Sequence, residues 1–125
     1  MSKKDKLFYI LDSDLYSFGI MFCFGMKPNE AQEKVKKYIP NWSIEFPNHI
    51  SGCVIIPNPE IPQLLLYLPE FPITAYDYAV LQHEIFHATH AILRAVDLPY
   101  SKENEEAFAH LNKFITLRIY QQIWK

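Results

Sequence analysis

The first third of the chain carries apolar runs that predict a hairpin followed by one helix. Apolar and aromatic residues dominate 7–11 and 15–24, and a short polar segment at 12–14 separates the two runs. Short β-prone runs bounded by turn-forming residues are typical of paired strands. Residues 29–38 instead place their apolar side chains on one face of a helix, directly after Pro28, which suits a first helical turn. We therefore predict a hairpin and an amphipathic surface helix.

The middle third is rich in proline, which predicts strands and loops. Seven of the nine prolines lie between Pro40 and Pro72, and a helix of ordinary length does not survive that density. The runs 51–56 and 63–68 are β-like. The second run has a proline on each side, which favours a short strand near the edge of a sheet.

The last two-fifths of the chain predict two helices. Thr74 is a suitable N-cap with an acidic residue three positions later, and neither glycine nor proline occurs from there to about Val96. Residues 97–100 interrupt the helical pattern. A second helix begins within 101–104 and runs toward Ile123. Strands first and helices last indicate the α+β class.

Composition predicts one compact domain of 125 residues and restricts its partners. Twelve lysines and arginines against fourteen acidic residues give a net charge of −2, which argues against nucleic acid as a partner. The longest apolar run, residues 18–26, is too short to cross a bilayer, so we expect no membrane association. Cys23 and Cys53 are not spaced as metal ligands, and we expect free thiols in a reducing cytoplasm.

A five-residue motif inside the longer predicted helix carries the candidate chemistry. Residues 83–87 read His-Glu-Ile-Phe-His, an H-E-x-x-H sequence. At about 100° per residue, His83 and His87 project from one face one turn apart, so both imidazoles can bind a single tetrahedral Zn²⁺. Glu84 lies beside such a metal without binding it, where it can take a proton from an activated water and pass it to a leaving amine. The motif predicts a catalytic zinc site with Glu84 as general base.

A third protein ligand is expected from the start of the last helix. The break at 97–99 lets the chain reverse, and two helices joined by a short loop are antiparallel neighbours. Glu106 falls near the border of the apolar stripe of that helix, whereas Glu105 points about 100° further toward solvent and Glu103 precedes the first regular turn. We favour Glu106 and keep Glu103 and Glu105 as alternatives.

The H-E-x-x-H motif, followed by eighteen residues and then Glu106, resembles the gluzincin group of zinc metallopeptidases. The run 104–109 is similar to their third-ligand helix, and the chain looks like a single-domain minimal gluzincin of the kind encoded by phages and prophages. The resemblance implies zinc held by His83, His87 and Glu106, with Glu84 as the base. It also implies a zincin-like fold, in which a small antiparallel or mixed sheet packs on the HExxH helix and a C-terminal helix.

The detailed resemblance covers about residues 74–115, and the strands before it match only in type and order. In that group an edge strand holds the substrate peptide, and residues 64–68 are the candidate here. The metzincin pattern is excluded, because it needs glycine and histidine where this chain has His90 and Leu93.

Several residues outside the motif are candidates for supporting roles. His90, His110 and Tyr100 are candidates for supporting a ligand or stabilising an oxyanion, and Tyr67 and Tyr120 are further oxyanion candidates. Each has an equally ordinary explanation as a surface or core side chain. A single small domain leaves the substrate cleft either shallow or completed by a protein partner.

Two functions from different classes follow from the sequence. The favoured one is a zinc-dependent hydrolase, a metallopeptidase that acts on a peptide or protein substrate. The rival is a non-catalytic interaction module, of phage type, that is either stabilised by zinc or free of metal.

Overall fold

The computed structural model describes residues 5–11, 18–42, 44–47, 50–56 and 62–125, which contain four strands and three helices. In chain order these are β1 (Leu7–Leu11), β2 (Gly19–Phe24), α1 (Pro28–Lys36), β3 (Cys53–Ile55), β4 (Gln63–Leu68), α2 (Ala75–Ala95) and α3 (Glu105–Ile123). The α+β class is confirmed. In the described part of the chain, no helix is both long enough and apolar enough to cross a membrane.

The four strands form one mixed sheet in the order β1-β2-β4-β3. β1 and β2 pair antiparallel, which confirms the N-terminal hairpin, although its predicted turn at 12–14 lies outside the described residues. β2 and β4 pair in parallel, and β3 pairs antiparallel with β4. The parallel pair therefore lies at the centre of the sheet, and β1 and β3 form its edges.

The prediction of a strand over residues 63–68 is confirmed, but its position near a sheet edge is wrong. Leu64 to Leu68 are each at most 2% exposed, and β4 pairs on both sides. Pro62 and Pro69 lie just outside the strand, so neither removes a hydrogen-bond donor from the ladder. β3 is the edge strand beside β4, so the candidate strand for holding a peptide moves from β4 to β3.

Helices cover both faces of the sheet. One face packs on α2 and α3 through a cluster that includes Phe22, Leu66 and Ile85. The other face packs near α1 through a cluster that includes Met21 and Val35. Successive side chains of a strand point to opposite faces, so burial on both sides explains why β2 and β4 are apolar almost throughout.

α2 begins where the sequence predicts. The Thr74 hydroxyl accepts a hydrogen bond from the Asp77 N–H at 3.1 Å, and the Asp77 carboxylate accepts one from the Thr74 N–H at 3.0 Å. This reciprocal capping box satisfies backbone donors that the first helical turn leaves free. The predicted N-cap is confirmed.

α2 and α3 pack antiparallel, and two hydrogen bonds show which of their residues lie side by side. The Gln82 amide donates to the Thr116 hydroxyl at 3.2 Å, and the Asn112 amide donates to the Thr89 hydroxyl at 3.3 Å. Later residues of α2 thus contact earlier residues of α3. The register decides which part of α3 lies beside the H-E-x-x-H motif.

Candidate metal centre

His83 and His87 lie together on the exposed face of α2. Their Nε2 atoms are 3.1 Å apart, and their rings meet edge to face with centroids 4.7 Å apart. Two nitrogen ligands of one tetrahedral zinc ion, each about 2.0–2.1 Å from it, lie about 3.3 Å from each other. The two imidazoles therefore fit a shared zinc ion.

Glu84 points to the opposite flank of the motif and is largely buried. Only 7% of the residue is exposed, whereas His83 and His87 are both exposed. Burial raises the pKa of the Glu84 carboxyl, and the charges of the two neighbouring histidines oppose that rise only in part. A carboxyl with a raised pKa next to two candidate ligand side chains suits a proton acceptor.

Gly52 brings the chain before β3 close to Glu84. A Cβ at this position would lie 2.6 Å from the Leu68 side chain and 3.0 Å from the Glu84 Cγ. Any larger residue would displace one of these neighbours. The glycine thus allows the start of the edge strand to pass directly beside the candidate base.

A cavity of about 380 Å³ opens at this contact between α2 and the segment before β3. Its lining residues come from these two parts of the chain and are Ile50, Ser51, Gly52, Ala79, Val80, His83 and Glu84. The sequence predicts a β-like run over 51–56, of which the structure forms a strand over Cys53–Ile55, and it predicts no functional role for residues 50–52. Gly52 is a local signal that the backbone passes close to another part of the chain. A glycine in the sequence does not identify that neighbour, which the structure shows to be Glu84.

Glu106 is not brought to the two histidines. Its carboxylate is paired with His110 one turn later on α3, with 3.1 Å between His110 Nε2 and Glu106 Oε2. Both side chains are mostly exposed. Over residues 5–11, 18–42, 44–47, 50–56 and 62–125, no three His, Cys, Asp or Glu side chains form a group that could hold a metal.

The register of the two helices explains the separation of Glu106 from the motif. Asn112 contacts Thr89, so Glu106, which precedes Asn112 by six residues, lies about 9 Å further along the helix axis. His87 precedes Thr89 and lies about 3 Å in the other direction. Glu106 is therefore well beyond the level of His87.

The three candidate carboxylates lie at different positions relative to the flank of α3 that bonds to α2. The apolar stripe of α3 packs into the core formed with α2 and the sheet, and the adjoining flank that carries Asn112 and Thr116 bonds to α2. Glu105 precedes Asn112 by seven residues, or nearly two turns, and lies closer to that flank than Glu106 does. Glu103 precedes α3, and all three carboxylates are exposed.

His90 and Tyr100 belong to an aromatic surface beyond His87. The Phe86 ring stacks on His90 with centroids 6.5 Å apart, and it also contacts Phe108, on which Tyr100 packs. His90 Nε2 lies 2.7 Å from the Arg94 guanidinium. These contacts link both residues to aromatic and polar neighbours on α2 and α3.

Tyr67 and Tyr120 lie away from the motif. The Tyr67 hydroxyl donates to the Met26 carbonyl at 2.6 Å, on the side of the sheet that faces α1. Tyr120 packs edge to face against Tyr78 and Trp124 at the far end of the helix pair. The Tyr67 hydroxyl is therefore bonded on the opposite side of the sheet, and the Tyr120 hydroxyl bonds to the Gln82 side chain on α2.

Both cysteines are free thiols. Cys23 is buried, and burial raises its pKa to about 12; Cys53, on β3, has its pKa raised to about 11 by burial and by the nearby Glu84 charge. Both therefore remain protonated at neutral pH, which makes them weak metal ligands and weak nucleophiles.

Comparison of the chain with family models, with curated proteins and with solved structures gave no match.

Proposed function

We propose that this chain is a zinc-dependent hydrolase, and specifically a metallopeptidase of gluzincin type. The observation that carries the proposal is the 3.1 Å approach of the His83 and His87 Nε2 atoms beside the buried Glu84 carboxyl. The order of these groups along one helix, two nitrogen ligands with a carboxylate next to the first, is the arrangement that metal-assisted hydrolysis uses.

A zinc ion held by the two histidines would supply Lewis acidity toward a water molecule and toward the carbonyl oxygen of a substrate. Glu84 would accept the proton that this water loses and later deliver it to the leaving amine. Its position next to His83 and largely out of solvent supports this role, because a positioned carboxylate beside the two ligands is within reach of such a water.

Glu106 is our proposed third ligand, with Glu103 and Glu105 as alternatives. For Glu106 to take this role, its carboxylate must leave His110 and the start of α3 must shift toward His87. The Asn112–Thr89 contact opposes such a shift by about 0.5–1.5 kcal/mol, the usual net contribution of one neutral hydrogen bond.

The proposed substrate is an extended peptide that pairs with β3. This strand bonds to β4 on one side and is the edge of the sheet on the other. An exposed strand edge presents free N–H and C=O groups that can add a peptide as a further strand. The segment before β3 passes beside Glu84, so a peptide on this edge would reach the candidate base.

The decisive experiment combines metal analysis with activity. Zinc-loaded protein should contain one zinc per chain and cleave at least one member of a diverse peptide library. Glu84→Gln should keep the zinc and lose about 10²- to 10⁴-fold in turnover, the usual contribution of a general base. Glu33→Gln, an exposed carboxylate on α1, is the matched control and should change neither quantity. Unchanged turnover in Glu84→Gln would overturn the proposal.

The rival function is a non-catalytic interaction module, and the separation of Glu106 from the histidines favours it. Protein purified without added zinc distinguishes the two. Less than one zinc per chain, with unchanged folding in His83→Ala and His87→Ala, would favour the metal-free module. We further propose a cytoplasmic location, because both thiols are free, and no role in nucleic-acid binding, because the chain carries a net charge of −2.

A further inference from the structure

Two adjoining cavities form one groove along the first half of α2. The first, of about 380 Å³, contains His83 and Glu84, and the second, of about 330 Å³, lies toward the start of the helix. Both are lined by Ile50, Ser51 and Val80, so they are continuous. We call them together the α2 groove.

The far end of the α2 groove is acidic. Glu70 and Asp77 line the second cavity, and Glu84 lines the first, whereas no lysine or arginine is among the described residues that line either one. Most of the other walls are apolar, including Leu68 and Val80. Carboxylates between apolar walls concentrate a negative potential, because such walls screen charge poorly.

Both carboxylates at the far end are available to a ligand. Backbone N–H groups of Thr74 and Ile73 bond to Asp77 Oδ2 and hold the pKa of this carboxyl below its usual range, so Asp77 stays ionised. These bonds do not use Asp77 Oδ1. Glu70 is exposed and makes no ion pair with another residue in the described ranges.

The other end of the groove contains the Glu84 carboxyl. Glu84 is more than nine-tenths buried yet lines the first cavity, and none of the described residues donates a hydrogen bond to its carboxylate. In the described part of the chain no buried side-chain oxygen lacks a partner, so the Glu84 oxygens are open to the cavity, where a ligand or water can donate to them. The groove thus joins the Glu84 carboxyl at one end to the carboxyl groups of Glu70 and Asp77 at the other.

We propose that the α2 groove selects a substrate peptide with an arginine or lysine side chain, which Glu70 and Asp77 bind two or three residues from the scissile bond. The proposal deepens the proposed function, on which it rests for the identity of the substrate as a peptide. Asp77 precedes His83 by six residues, which is about 9 Å along α2. An extended peptide covers this distance in two to three residues.

The same spacing argues against the other cationic group of a peptide, its free N-terminus. An N-terminal ammonium next to the scissile bond would lie only about one residue, roughly 3.3 Å, from the reacting carbonyl. It would therefore not reach the acidic end of the groove. A long cationic side chain placed further along the peptide reaches it without strain.

The test measures binding without turnover. End-blocked hexapeptides that differ at one position, with arginine, its neutral isostere citrulline or glutamate, are titrated into isotopically labelled protein, and amide shifts are followed by NMR. The arginine peptide should shift the amides of Ser51, Glu70 and Val80 and bind about 3- to 10-fold tighter than the citrulline peptide. A citrulline peptide with a free N-terminus tests the alternative cation and should gain no affinity.

Variants assign the preference to Glu70. Glu70→Gln should reduce the advantage of arginine over citrulline by about 2- to 5-fold, and Glu70→Lys should make glutamate the preferred residue. Glu33→Gln on α1 is the matched control and should leave the preference unchanged. Asp77 is not substituted, because its carboxylate caps α2.

The outcomes separate this proposal from the proposed function. Equal binding of arginine and citrulline peptides, an unchanged preference in Glu70→Gln, or shifts that map away from the α2 groove would each overturn the groove proposal. Cleavage of the same peptides by zinc-loaded protein is measured separately. Arginine-selective binding without any cleavage would refute the hydrolase and leave the groove proposal standing. Cleavage of arginine and citrulline peptides without any difference in binding would support the hydrolase and refute the groove proposal.

Discussion

The H-E-x-x-H motif and the start of α3 contain the two halves of the predicted zinc site, and they differ in how close the structure brings their candidate ligands together. His83 and His87 meet with their Nε2 atoms 3.1 Å apart. Glu106 instead pairs with His110, and both of those side chains are more than two-thirds exposed. One half of the site is preorganised, and the other half requires a movement.

The difference follows from how each pair of residues is held. Residues four apart on one helix are neighbours whatever the rest of the protein does, because backbone hydrogen bonds fix their spacing. Residues on two helices meet only if the helices pack in the right register. Here the contacts of Asn112 with Thr89 and of Thr116 with Gln82 leave Glu106 beyond the motif. A sequence motif that spans two helices therefore needs a structural test that a motif within one helix does not.

The largest expected effect is on zinc affinity. A zinc-binding free energy of about 10–16 kcal/mol shared by three or four ligands assigns each about 2.5–5 kcal/mol, so His83→Ala should weaken affinity by about 10²- to 10⁴-fold. Glu106→Ala should cost less, about 10- to 100-fold, because Glu106 gives up its contact with His110 when it binds. Competition titration with a zinc chelator measures both variants.

His110→Ala gives a second test of whether Glu106 is a zinc ligand. It removes the competing partner of Glu106, so zinc affinity should stay equal or rise slightly. If Glu106→Ala leaves zinc affinity unchanged, Glu106 is not a ligand, and Glu105→Ala and Glu103→Ala become the next variants. A loss in only one of these would identify the residue that completes the site.

A smaller effect, on the free energy of unfolding, is expected at the Thr89–Asn112 hydrogen bond between α2 and α3. In a double-mutant cycle, Thr89→Val and Asn112→Ala should show a coupling of about 0.5–1.5 kcal/mol in the free energy of unfolding, measured by urea denaturation. Thr89 is fully buried and also bonds to the Ile85 carbonyl, so Thr89→Val alone should cost more than the coupling. Additive effects would show that this contact does not hold the register.

The smallest expected effect is on the pH dependence of stability in metal-free protein. The folded state raises the pKa of Glu84, so its contribution is fully present below the unfolded pKa and is lost as pH rises through the folded value. Glu84→Gln should therefore flatten the decline in the free energy of unfolding above about pH 4. Urea titrations at several pH values measure this.

Asp77, on the same helix, should change the pH dependence of the free energy of unfolding in the opposite direction. Its pKa is lowered by backbone hydrogen bonds, so its contribution is present above the unfolded pKa and is lost as pH falls through the folded value. Asp77→Asn should reduce the loss of stability in acid and leave the decline at higher pH unchanged. The same response in both variants would contradict the assigned causes.

Local sequence signals predicted most of the secondary structure. The Thr74 cap, the break after Val96 and the apolar stripe of α3 gave two helices that the structure confirms within a few residues. The hairpin is confirmed over β1 and β2. These signals work because caps, turns and periodicity act over a few residues and do not depend on packing partners.

The order of strands in the sheet was harder to predict from the sequence than the secondary structure was. The prolines that flank β4 suggested an edge position, yet they lie outside its hydrogen-bonded segment. The continuous apolar run from Leu64 to Leu68 was the better signal, because a strand buried on both faces needs no polar alternation.

By itself, the sequence determined the H-E-x-x-H geometry, because the positions of His83, Glu84 and His87 follow from the pitch of one helix. Only the tertiary structure decided which strand forms the edge beside Glu84, how far Glu106 lies from the histidines, and that Glu70 and Asp77 share a groove with the candidate base. These features depend on packing between segments distant in the chain, where small changes in register move a side chain by several ångströms.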